Sequence, residues 1–111
     1  MLLYNIKYII CATGGEFLVE ILPYLKLDKL KSNPKWVQGF SDPTGILYYI
    51  TTKYDIATIY GRNFGDYGAE TYDKPTIDSL EIMKGNIVEQ QSLELYEENS
   101  IEKVTGLEPL T

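Results

Sequence analysis

Apolar residues along the chain come in short blocks, most of them closed by glycine or proline. The first, Asn5 to Ala12 (NIKYIICA), is rich in β-branched residues and stops at Thr13-Gly14-Gly15. A near-continuous run of that length predicts a strand covered on both faces, as in a parallel sheet. In the next stretch, EFLVEILPYLKLDKL, Phe17, Leu18, Ile21 and Leu22 recur at helical spacing, which predicts a helix from near Glu16. Pro23 lies inside that pattern and should end or kink it. Asp28 to Ser32 reads as a second short helix or turn, stopped by Asn33-Pro34.

Lys35 to Phe40 (KWVQGF) is the second predicted strand, and it runs into Ser41-Asp42-Pro43-Thr44-Gly45. Ile46, Tyr49, Ile50 and Tyr54 then predict a helix, with Pro43 in its first turn and Asp42 or Ser41 as its cap. Ile56 to Tyr60 (IATIY) is the third strand, ending at Gly61-Arg62-Asn63. Phe64 to Pro75 reads as a polar loop. Ile77, Leu80 and Met83 predict a helix over Thr76 to Lys84, capped by Thr76 and stopped by Gly85-Asn86. From Ile87 to Thr111 the chain is acidic and only weakly periodic.

Strand, glycine turn, helix, strand, turn, helix, strand is the order of βαβ units on a parallel sheet. The fold class expected is α/β: an incomplete Rossmann-like (flavodoxin-like) three-layer sheet of about three strands with flanking helices. A doubly wound domain ordinarily has about five strands or more. The chain therefore reads as part of a domain, or as a subunit whose sheet edges need a partner. Residues 1–68 form the α/β part, and 69–111 an acidic helical and loop segment.

Composition sharpens this picture in three places. The 111 residues carry a net charge of −6, +2 up to Arg62 and −8 beyond it. That balance argues against nucleic-acid binding, which needs a basic surface. Ten tyrosines against three phenylalanines suggest a core whose rings end near water or an interface. One cysteine and no histidine rule out an internal disulfide, a zinc site and the usual base of a nucleophilic serine or cysteine. Asn5 and Lys7 interrupt the apolar start, and no window nears the length of a membrane span. A cytoplasmic protein without membrane contact or cofactor is the expectation.

Two junctions could carry chemistry. Gly39-Phe40-Ser41-Asp42-Pro43 places a serine between strand and helix, where a sharp turn would expose its hydroxyl at the carboxyl end of the sheet. The N–H of Asp42 could then stabilise an oxyanion, and Gly39 would allow close packing. The plainer reading makes Ser41 a helix cap. Thr13-Gly14-Gly15-Glu16 is the other junction, where glycine lets a backbone N–H face a ligand. It matches neither the dinucleotide nor the P-loop pattern, and a tight turn also explains it. Cys11 reads as a small buried hydrophobe within a strand, and Glu16 and Glu20 as a solvated helix face.

Taken together, IICATGGEFLVEILPYL, NPKWVQGFSDPTG and IATIYGRNF resemble the LD-carboxypeptidase family, and more closely its microcin C immunity branch than its murein-recycling branch. The resemblance covers Asn5 to about Tyr67. It implies a serine peptidase in which Ser41 is the nucleophile. The Asp42 N–H, with that of Gly14 or Gly15, would form the oxyanion hole. Its substrate would be a peptide or peptidyl-nucleotide whose scissile amide lies next to a free carboxylate. The family's second domain supplies a glutamate and a histidine, and a homodimer follows by analogy. This chain holds no histidine. The family's opening strands should precede Asn5, so the resemblance implies a partial enzyme, inactive by itself. A small non-catalytic binding or interaction module is the alternative.

Overall fold

The computed structural model describes residues 5–91 and the backbone of Leu95–Tyr96 and Glu108–Pro109. Strands β1 (Tyr8–Ile10), β2 (Trp36–Gly39) and β3 (Ile59–Tyr60) form a parallel sheet in the order β1-β2-β3. Tyr8, Ile9 and Ile10 pair with Trp36, Val37 and Gln38, and Gln38 and Gly39 pair with Ile59 and Tyr60. Helices α1 (Asp28–Ser32), α2 (Thr44–Tyr54) and α3 (Lys74–Met83) surround it. Two 3-10 segments, Leu18–Tyr24 and Phe64–Gly68, lie in the connections. Leu95–Tyr96 (β4) and Glu108–Pro109 (β5) pair antiparallel, and the rest of the expected acidic segment 69–111 beyond Gln91 lies outside the described residues. The α/β class and the three parallel strands expected of the sequence are present.

The strands are shorter than the apolar blocks that predict them. Pro34, one residue before Lys35, has no N–H to extend the ladder, and pairing begins where Trp36 N–H donates to Lys7 O at 3.0 Å. At the other end β2 turns away after Gly39. That leaves β1 three residues instead of the eight from Asn5 to Ala12.

One face of the sheet holds the apolar core. Val37 of β2 packs with Leu47 and Ile50 of α2, with Leu27, Leu30, Ile46 and Ile56 half-buried around them. The other face also carries Ile10 and Ile59, but it centres on a hydrogen-bonded polar side chain, against the expectation of an apolar strand on both sides. Gln38, one residue along from Val37 and so on the opposite face, is wholly buried (0% exposed). Its Nε2 donates to Arg62 O at 2.6 Å and to the Tyr67 hydroxyl at 3.0 Å, and its Oε1 accepts from the Tyr8 hydroxyl. The Tyr67 hydroxyl in turn meets Ser79 Oγ of α3 at 2.7 Å.

That network corrects the reading of α3. The helix buries Thr76, Asp78 and Ser79, while Ile77 and Met83 are exposed, so its polar stripe faces inward. It also starts two residues earlier than Thr76. Asp73 is the cap, accepting from Thr76 N–H at 2.9 Å, and Pro75 sits in the first turn. Gly85, at φ 88°, ends it as expected.

The helix expected from Glu16 is instead the 3-10 segment Leu18–Tyr24, with Pro23 inside it and no buried residue. Pro23 cannot donate the i to i−4 bond, and the turn closes through shorter steps, Glu20 N–H to Phe17 O and Leu25 N–H to Leu22 O. Glu16 and Glu20 therefore do not share a helical face; both are simply exposed.

Candidate active site

The sheet's carboxyl end is built around the turn from β2 to α2. Gly39 closes the strand, Phe40 follows, and Ser41 takes the left-handed conformation with φ 64°. A non-glycine residue there costs on the order of 1 kcal/mol, which the surrounding structure must offset. The Ser41 carbonyl accepts from Thr44 N–H at 2.9 Å and from the Thr44 hydroxyl, and Gly45 N–H donates to Asp42 O at 3.2 Å. These bonds close the turn and start the helix without a side-chain cap. Neither Ser41 nor Asp42 caps α2, contrary to the sequence reading. Pro43 holds that position, and the side chains of Ser41 and Asp42 are left for other contacts.

Close approach explains the glycines. A Cβ on Gly39 would lie 2.8 Å from Pro43 Cβ and 3.0 Å from Cys11 Sγ, so only glycine lets β2 turn here against β1. A Cβ on Gly14 would lie 3.2 Å from Ser41 Oγ. The double-glycine loop after β1 therefore comes against the serine, and the two junctions singled out in the sequence meet. A Cβ on Gly15 would fall 2.9 Å from Asp42 Oδ2. Gly15 thus faces the carboxylate and Gly14 faces the hydroxyl, a difference the spacing could not show. The Asp42 carboxylate also accepts from Leu18 N–H at 3.1 and 3.3 Å, tying the start of the 3-10 segment to the turn. Among the described residues the backbone N–H groups of Asp42 and Gly14 donate to no protein carbonyl outside helices and strands. Ser41 is solvent-exposed.

Cys11 lies one residue beyond β1 rather than within it, half-buried against Gly39. Burial pushes its thiol pKa up and so disfavours the reactive thiolate.

Two residues that pattern reading passed over matter here. Asn63 is 3% exposed. Its Oδ1 accepts from Phe40 N–H at 3.2 Å and its Nδ2 donates to Phe40 O at 3.3 Å. Its neighbours reach the other loop, Phe64 N–H to Cys11 O at 2.7 Å and Gly65 N–H to Ala12 O at 2.9 Å. Gln38 is the second, an uncharged polar side chain inside the apolar run WVQGF. That polar interruption was the one signal in the sequence of a hydrogen-bonded face.

A short groove of about 300 Å³ runs beside this end, lined by Phe40, Tyr60, Arg62, Pro75 and Ser79 among others. No helix among the described residues is long and apolar enough to cross a membrane.

Known proteins share this arrangement's sequence. The model of the LD-carboxypeptidase N-terminal domain matches residues 3–61. A provisionally named carboxypeptidase of Treponema pallidum is 36% identical over 74 residues, covering 67% of this chain and 22% of its own. The microcin C7 self-immunity protein MccF of Escherichia coli is 39% identical over 72 residues, covering 60% of this chain and 21% of its own. A provisionally named carboxypeptidase of Vibrio cholerae is 33% identical over 67 residues, covering 57% and 20%. The chain thus spans about a fifth of the length of these curated relatives. With more than half of its residues matched, and the turn of Ser41 and the loop of Gly14 inside the match, the chain belongs to the LD-carboxypeptidase family.

Proposed function

We propose that Ser41 is the nucleophile of a serine peptidase that hydrolyses an amide next to a free carboxylate, in a peptide or peptidyl-nucleotide. The observation that carries the reading is the left-handed, exposed Ser41 at a strand-to-helix turn, with its hydroxyl toward Gly14. A turn of that kind aims a hydroxyl away from the backbone at the carboxyl end of the sheet. Ser41 Oγ attacks the amide carbon, and the hydroxyl proton passes to a base. The C–N bond breaks, the amine leaves with a proton, and water then hydrolyses the ester left on Ser41.

The N–H of Asp42 and that of Gly14 are the oxyanion donors in this reading. Gly14 is preferred to Gly15, because the Asp42 carboxylate beside Gly15 would repel a developing negative charge. Residues 1–68 carry this nucleophile-bearing part, and 69–111 lead away from it. The chain has no histidine, so a histidine base in this reading comes from outside these residues. Without a base, a triad serine loses most of its rate.

Imidazole can stand in for the missing base, which makes the reading testable on this chain. A fluorophosphonate loses fluoride to an activated serine and leaves a covalent adduct that intact-mass measurement counts. One adduct on Ser41, forming faster with added imidazole and absent in Ser41→Ala, is the expected result. Labelling that ignores imidazole, or persists in Ser41→Ala, would overturn it. The absence of histidine also favours a second reading, a module that binds a peptide carboxylate without chemistry. That reading requires affinity that survives Ser41→Ala and no adduct at all.

A further inference from the structure

The turn after β3 touches both the Ser41 loop and the Gly14 loop, and Asn63 within it reaches the former with its side chain. Pairing between β2 and β3 ends at Gly39, whose carbonyl accepts from Gly61 N–H at 3.1 Å. Phe40, the residue directly before Ser41, would have no strand beside it. Asn63 fills that place. A carboxamide is planar and offers one acceptor and one donor group, the same pair that a neighbouring peptide would present. Both are used on the one residue, Oδ1 for Phe40 N–H and Nδ2 for Phe40 O. The Asn63 backbone is fixed in turn, its N–H donating to Asp66 Oδ2 at 2.9 Å.

Phe64 and Gly65 extend the same device to the other loop, through Cys11 O and Ala12 O. Three consecutive residues therefore grip both β2's exit, which carries Ser41, and β1's exit, which carries Gly14. We propose that Asn63 is a positioning residue of this site: its carboxamide pins the Phe40 peptide so that Ser41 keeps its left-handed turn opposite Gly14. The proposal rests on Ser41 being the nucleophile. It adds that the turn is held from β3 on the Phe40 side as well as by Thr44 of α2 on the Ser41 carbonyl. Misplacing a reacting group by about 1 Å costs roughly a hundredfold in rate, so loss of the clamp should be visible in chemistry before it is visible in binding.

The test uses the full chain and the imidazole-dependent fluorophosphonate reaction, separated into the limiting labelling rate and the concentration giving half that rate. Asn63→Ala removes both bonds to Phe40. Asn63→Asp keeps the acceptor for Phe40 N–H and removes the donor. Leu30→Ala weakens the apolar core from α1, away from the turn, and controls for lost stability. At a temperature where circular dichroism shows the proteins folded, Asn63→Ala should lower the limiting rate about tenfold or more. Its half-saturating concentration should change little, and Asn63→Asp should fall between it and the wild type. Leu30→Ala should lower the unfolding midpoint and leave the limiting rate alone. If Asn63→Ala fails to fold, the shortfall of Asn63→Asp decides the matter. A wild-type limiting rate in folded Asn63 variants would overturn the clamp while leaving Ser41 as nucleophile. A rate that falls equally in Leu30→Ala would overturn it too. A wild-type chain that takes no imidazole-dependent adduct overturns the nucleophile reading, and the clamp's catalytic role with it.

Discussion

Ser41 is held in a backbone conformation that its own side chain resists. The left-handed region is costly for any residue with a Cβ and nearly free for glycine. Ser41→Ala and Ser41→Gly both delete the hydroxyl, yet they should part in stability. Alanine keeps the cost, and glycine removes it at the expense of a looser unfolded chain. Ser41→Gly should therefore be more stable than Ser41→Ala by about 1 kcal/mol, read as a higher urea midpoint at unchanged slope. Equal midpoints would mean that the turn imposes no such cost. Gly39 shows the opposite constraint. Its neighbours Pro43 and Cys11 leave no room for a methyl group, and its service is to space rather than to backbone angle.

At the scale of elements, polar end groups decide more than apolar stripes. Helix α3 was legible in the sequence as a helix, and its glycine stop was legible as well. Its start and its inward face were not. Ile77, Leu80 and Met83 mark a stripe at the right period, but Tyr67 and Gln38 supply hydrogen-bonding partners that draw Ser79 inward instead. A periodicity argument ranks residues by hydrophobicity alone and has no term for a partner distant in sequence. The same limit hid Asn63, whose worth depends on Phe40, 23 residues away. The serine turn and the double glycine could be read, because strand-to-helix junctions carry local marks. That Gly14 rather than Gly15 meets Ser41 could not, since it depends on how two loops approach each other.

The cap of α3 is a separate source of stability. Asp73 accepts from Thr76 and pairs with Arg62 at 2.6 Å. Its carboxyl is held below the usual range by the Thr76 hydrogen bonds first and by the Arg62 charge as a lesser cause. Asp73→Ala should cost about 1 kcal/mol of stability, most of it from the cap, since an exposed ion pair adds little. Asp73→Asn, which can still accept from Thr76, should recover most of the loss. Thermal unfolding of the two variants checks this.

The whole molecule is a thin sheet with two unlike faces. Among the described residues, Val37, Leu47 and Ile50 make up the buried apolar core, and the opposite face is joined by hydrogen bonds through Gln38. Trp36, Phe17, Tyr24, Tyr48, Tyr60 and Phe64 are all more than half exposed, so much of the aromatic content lies outside that core. Stability should accordingly respond to conditions that act on hydrogen-bonding groups. Tyr8 is the clearest case. Burial, and then the neighbouring Tyr67, push its pKa up from 10.0 to about 12. Between those two values the unfolded chain has lost the Tyr8 proton and the folded chain has kept it. Stability is then fully present below pH 10 and declines as pH rises through about 12. Tyr8→Phe should flatten that decline. Urea midpoints across the alkaline range measure it, and identical slopes for the two proteins would count against it.

The left-handed turn at Ser41 also gives direction to sequence drift. A chain in which the hydroxyl had no use would remain free to change there, but not freely in every sense. Glycine escapes the steric cost, and asparagine bears it better than most residues, so these are the replacements that the backbone rewards. Alanine or valine would delete the hydroxyl and keep the strain. If Ser41 has the proposed role, its loss along a lineage would then leave a recognisable trace: glycine or asparagine at position 41, with Gly39 still in place because its neighbours leave no room for a side chain.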